Sequence, residues 1–119
     1  MKLNTLFLIT GIIALFFGIT SLFFPTVMYA NFGITVDAGH IYISQLFGGA
    51  NIAFALLLWF ARKSKDTKGV VVAMFAFHFI GFIIALLGRL NNLTSSSGWV
   101  GVGLFLILSI GYAYFLFKK

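Results

Sequence analysis

The chain holds no cysteine and no glutamate, two aspartates and a single proline. Without cysteine there is no disulfide, no thiol nucleophile, no thiolate metal site and no CxxC redox pair. The two aspartates, Asp37 and Asp66, fall in different connections and cannot form a catalytic dyad. No HExxH, GxSxG or P-loop pattern occurs, and the Gly48-Gly49 pair is too isolated to cradle a phosphate. The sequence therefore reads as that of a non-catalytic protein, with no cofactor and no metal site. Charge is scarce as well. Only 8% of residues are charged while 61% are hydrophobic, and the mean hydropathy is +1.11. A soluble domain of this length has no interior large enough for that much apolar surface.

What is present is four apolar stretches, at about 3–24, 41–61, 69–90 and 99–117. Each has the roughly 20 residues needed to cross a hydrocarbon core about 30 Å thick. Threaded in turn, they place seven of the eight basic residues on one side: Lys2, Arg62, Lys63, Lys65, Lys68, Lys118 and Lys119. Only Arg89 falls on the other. Cytoplasmic loops carry the Lys/Arg excess, so both termini and the Arg62–Lys68 turn are expected in the cytoplasm. The fold class expected is all-α, an integral membrane four-helix bundle forming a single domain over 1–119, multi-pass in the cell membrane (the cytoplasmic membrane in a prokaryote). The net charge of +6 follows from this orientation. It does not describe a basic patch on a folded face, so nucleic acid is not an expected partner.

The first stretch is not read as a cleaved signal peptide. Its apolar run is about 22 residues against the 7–15 of a signal core, and Met28-Tyr29-Ala30 places a large residue where a cleavage site wants a small one. The connection from Pro25 to His40 is too apolar for a solvated loop and is expected in the outer interface or over the bundle mouth. Within it, Asp37 is placed to cap the second span through backbone N–H groups. The third connection, Asn91–Gly98, is polar and exposed in character. Its Asn92-Leu93-Thr94 matches a glycosylation acceptor triplet, a pattern common by chance.

Polar side chains inside a span are expensive and therefore candidates for function. His78 is the ionisable residue near the middle of a span, sharing a helix face with Met74, Gly81, Phe82 and Ala85. In the second span Ser44, Gly48, Asn51 and Ala55 share one face, with Gln45 and Gly49 at its edge. Ile43, Phe47, Ala50, Phe54, Leu57 and Leu58 are assigned to lipid. Asn51 and His78 are thus expected at one depth on interior faces, where a mutual hydrogen bond would satisfy both. The chemical alternative is a ligand site at His78, Asn51 and Gln45. A bis-histidine haem is excluded within one chain, because His40 lies about 15 Å from His78 along the membrane normal by the helical rise. Arg89 is expected to snorkel to the outer headgroups or to pair with Asp37 at the outer mouth. Small residues also line up as Asn4, Gly11, Ala14, Gly18 and Ser21 in the first span. In the fourth, Gly98, Gly101, Phe105, Ser109 and Tyr112 do the same. Such stripes let helix backbones approach closely. Tyr29, Tyr42, Trp59, Trp99 and Tyr114 fall near span ends as an aromatic belt.

A first helix ending Leu22-Phe23-Phe24-Pro25, then Phe32-Gly33, then Leu46-Phe47-Gly48-Gly49-Ala50 and a close in Trp59-Phe60-Ala61-Arg62 resembles one broad group. These are the small four-helix bacterial membrane proteins of unknown function, with the DoxX-like proteins similar in general plan. The resemblance implies the fold and no activity, and carries no functional residue over. Two functions fit the residues. One is an accessory or packing subunit that contacts lipid and either another membrane protein or copies of itself. The other is a binder or carrier of a small hydrophobic ligand, quinone, haem or proton at mid-membrane.

Overall fold

The computed structural model describes residues 2–118; Lys119, counted above in the basic tail, lies outside the described residues. Among these there are five helices and no strand: α1 (Leu3–Phe23), α2 (Pro25–Asn31), α3 (Ala38–Ala61), α4 (Lys68–Leu90) and α5 (Gly98–Phe117). The four long ones, α1, α3, α4 and α5, are each long and apolar enough to cross a membrane. They pack as two compact units, one running to Ser64 and the other beginning at Lys65.

The helix ends follow from local chemistry. Asp37 caps α3, its Oδ1 accepting the His40 backbone N–H at 2.9 Å. The cap starts α3 three residues before the apolar stretch alone would place it. The short helix α2 was not expected from the sequence. Phe24 leaves helical geometry (φ −132°, ψ 48°), and Pro25 restarts a helix at its first position, where a missing N–H costs nothing. Gly33 ends it in the left-handed region at φ 72°, with Gly33 N–H donating to Ala30 O and Ile34 N–H to Tyr29 O, both at 3.0 Å. This paired arrangement is a Schellman cap. Helix α4 ends the same way at Asn92 (φ 59°), with Leu93 N–H on Gly88 O at 2.8 Å. Asparagine tolerates that conformation better than other side chains.

In the first unit α1 and α3 run antiparallel through a seam of small residues. Gly18 and Gly48 meet backbone to backbone: a Cβ at Gly48 would lie 2.7 Å from Gly18 O and 2.9 Å from Leu22 N. Around this crossing Ser44 Oγ donates to Ser21 O at 3.2 Å, and Ser21 Oγ contacts Met28 Sδ of α2 at 3.3 Å. The buried face of α3 is Ser44, Gly48, Asn51, Ala55, Leu58 and Ala61. Leu58 corrects the lipid-face assignment made from the sequence, for it is fully buried. The reason is angular: Leu58 is seven residues from Asn51 and fourteen from Ser44, two and four nearly whole turns, and so continues their stripe. Ile43, Phe47 and Leu57 are exposed as expected.

In the second unit α4 and α5 are also antiparallel. Val71, Met74 and His78 are the buried residues of α4, and Gly98, Val102, Leu108, Ser109 and Tyr112 those of α5. The Phe105 ring rests against Gly81, close enough that a Cβ there would fall 2.5 Å from Cε1.

Candidate functional site

Each polar residue singled out in the spans is held within its own unit. Asn51 is buried, and its Nδ2 donates to Phe47 O one turn back at 3.0 Å. Gln45 stays exposed and reaches Leu22 O of α1 at 3.4 Å. His78 is buried with Nδ1 2.7 Å from Met74 O, also one turn back. A carbonyl can only accept, so Nδ1 carries the proton and Nε2 is the acceptor nitrogen of the ring. These bonds to the preceding turn satisfy one nitrogen of each side chain without a partner helix. The mutual Asn51–His78 bond is therefore not required to explain why either residue is tolerated.

Aromatic packing fixes the His78 ring. It stacks on Tyr112 of α5 (centroids 5.6 Å apart, 17° between planes) and stands edge-on to Phe77 at 5.1 Å. Phe105 lies tilted at 6.0 Å. Gly81 creates the room for Phe105, so the sequence pattern His78–Gly81 on α4 and Phe105–Tyr112 on α5 builds one aromatic cluster. Offset aromatic pairs of this kind contribute about 0.5–1.5 kcal/mol each beyond simple burial. The cluster ties α4 to α5 through ring contacts.

The two residues assigned to the outer mouth are also accounted for locally. Asp37 pairs with its own helix: besides the cap, its Oδ1 lies 3.0 Å from His40 Nδ1, and both side chains are exposed. The His40 backbone N–H, and then the positive charge of His40, hold the Asp37 carboxyl below the usual carboxylate range. Arg89 braces the α4–α5 loop, with Nη1 donating to Thr94 O at 3.2 Å and to Asn92 Oδ1 at 3.3 Å. Its guanidinium carbon lies 5.8 Å from the Trp99 ring. The amide of the glycosylation triplet is thus engaged in the loop. Among the described residues no three His, Cys, Asp or Glu side chains gather.

One feature escaped the sequence reading. At the far end of α3 from Asp37, the Arg62 guanidinium stacks over Trp59 at 4.8 Å. Both line an apolar groove of about 210 Å³ between α1 and α3, with Phe7, Gly11, Ile12 and Ala55 among its walls. The signal lay in the three-residue spacing of Trp59 and Arg62, which puts two long side chains on one helix face.

A family model described as a domain of unknown function, DUF8292, matches residues 8–118. The chain belongs to the DUF8292 family. The match begins within α1 and runs to the end of α5, so the DUF8292 domain takes in all of α2, α3, α4 and α5. No curated protein and no solved structure matches the chain. DUF8292 membership fixes kinship without naming an activity, and function has to be argued from the helices themselves.

Proposed function

We propose that the chain is a non-catalytic membrane protein of four spans that works as a packing or accessory subunit, in a larger membrane complex or in an assembly of its own copies. The observation that carries this reading is the second face of α3. Gly49 and Ala53, one turn apart and both exposed, form a small-xxx-small pair on the side away from the Gly48 seam. A Cβ at Gly49 would meet nothing within 4 Å. Gly69 and Ala73 repeat the spacing on an exposed face of α4. Small residues at this spacing allow helix backbones to approach and associate in membranes, where the hydrophobic effect gives no drive for it.

The reading includes topology. In the first unit Lys2, Arg62 and Lys63 gather at one end of the α1–α3 pair and Asp37 at the other. In the second, Lys68 and Lys118 share one end of the α4–α5 pair and Arg89 the other. The Lys/Arg bias in each supports a cytoplasmic location for the Lys2, Arg62 and Lys118 ends. The general plan is similar to that of the small four-helix bacterial membrane proteins noted above.

Extraction in mild detergent, without crosslinking, tests the reading. The protein is expected to migrate with a partner or as an oligomer, and Gly49→Leu or Ala53→Leu to release it. A lone monomer with nothing accompanying it would overturn the proposal. The second reading, a mid-membrane ligand binder, draws on the buried His78 ring; a coloured preparation whose absorbance is lost in His78→Leu would favour it instead.

A further inference from the structure

We propose that the groove between α1 and α3 is a binding site for one anionic phospholipid, with its phosphate on Arg62 and an acyl chain along Gly11 and Ile12. The groove exists because small residues face each other across the seam. Gly11 has no side chain, and a Cβ there would lie 3.7 Å from Ala55 O and 3.8 Å from Leu58 Cβ, an ordinary contact that leaves the trough beside it unfilled. Apart from Arg62, its lining is carbon-rich: Phe7, Leu8, Ile12, Leu15, Leu56 and the Trp59 ring. At about 210 Å³ it is far too small to seat a helix, which is about 10–12 Å across with its side chains. A segment of an alkyl chain is of a size to occupy it.

The charge at its end selects the headgroup. Arg62 Nε is buried and has no hydrogen-bond partner among the described residues, while the guanidinium plane is held by its stack on Trp59. With Nε covered by protein, it is the two terminal amino groups of this guanidinium that can donate as a pair to phosphate oxygens. Lys2 and Lys63, both exposed, lie at the same end of the unit. The acidic residue of this unit, Asp37, caps the opposite end of α3. Asp66, four residues on from Arg62 in the same turn, is outnumbered there by Arg62, Lys63, Lys65 and Lys68, so a headgroup of net negative charge is favoured. Trp and Arg at a span end also belong at headgroup depth. This site is independent of the subunit proposal and requires only that α1 and α3 lie in a bilayer.

The test is native mass spectrometry of the detergent-purified full chain with added phosphatidylglycerol or phosphatidylcholine of identical acyl chains. One saturable adduct is expected, with phosphatidylglycerol preferred about fivefold, the effect of one basic side chain near the headgroups. Arg62→Gln should reduce phosphatidylglycerol to the level of phosphatidylcholine. Gly11→Leu should fill the groove and abolish both adducts, and Leu56→Trp, at the exposed rim, should do so without entering the helix seam. Glycerol phosphate, which has the anion but no chains, should not compete. Equal binding of the two lipids, a headgroup preference that survives Arg62→Gln, adducts that accumulate without saturating, or displacement by glycerol phosphate alone would each overturn the site. A monomer that still prefers phosphatidylglycerol refutes the subunit reading and leaves this one standing.

Discussion

Adjacent glycines in α3 provide a controlled comparison. Gly48 and Gly49 share sequence context and helical environment, so replacing either with alanine brings the same gain in helix propensity, about 1 kcal/mol. Their surroundings differ completely. At Gly48 the new methyl would lie 2.7 Å from Gly18 O, whereas ordinary contact begins near 3.4 Å. The obstacles are backbone atoms of α1, which cannot rotate away. The helices must therefore separate by about 0.7 Å, and a gap of 0.5–1 Å forfeits about a quarter to a half of each dispersion contact. The Ser44–Ser21 hydrogen bond, already 3.2 Å long, would be stretched beyond a bonding distance. Overpacking costs about 1–3 kcal/mol and the lost hydrogen bond about 0.5–1.5 kcal/mol. Gly48→Ala is thus expected to be about 2–4 kcal/mol less stable than Gly49→Ala, with propensity cancelling between them. Equilibrium unfolding in mixed micelles at high dilution, so that association does not contribute, reads the difference. Equal stabilities, or a less stable Gly49→Ala, would refute the glycine crossing and with it the rotation assigned to α3.

Leu58→Ala should cost about 2–5 kcal/mol as a cavity mutation, and Leu57→Ala, one residue earlier but exposed, less than about 1 kcal/mol, by the same unfolding measurement. The Asp37 cap should make the start of α3 pH-dependent. Because its carboxyl titrates below the usual range when folded, its contribution is complete above the ordinary aspartate value of about 4 and is lost as pH falls through the lower folded value. Hydrogen exchange at His40 should accelerate across that acidic window in the wild type, and the acceleration should be absent in Asp37→Ala, whose turn is already frayed. Cysteines placed at Ser64 and Ser96 should react with an impermeant thiol reagent from opposite faces of a sealed vesicle; reaction from the same face contradicts the four-span topology.

The parts of the fold legible in the sequence were those set by composition and short-range rules. Hydropathy located α1, α3, α4 and α5, and the Asp37 cap and Gly48 face followed from residue type and helical angle. The short helix α2 did not, because proline after a long apolar run was read as an ending when it also suits the first turn of a new helix. Leu58 is buried against expectation because its seven-residue offset from Asn51 continues the buried stripe, although leucine suits lipid equally well. For Asn51 and His78 the sequence reading gave each the other as partner, whereas one nitrogen of each meets the carbonyl one turn back, an acceptor that is present in every helix and leaves no mark in sequence. The Arg62–Trp59 groove was hidden for another reason. It depends on Gly11 and Ala55 facing each other, and that pairing is set by the register of α1 against α3.

The proposal that other protein packs on the exposed Gly49–Ala53 face of α3 has a direct test. Polymer extraction of the protein with its native lipid disc, followed by mass determination of single particles, measures this without detergent. Discs that hold more than one polypeptide are expected, with a shift to single-chain discs in the Gly49→Leu, Ala53→Leu double variant. Single-chain discs from the unaltered protein would contradict it.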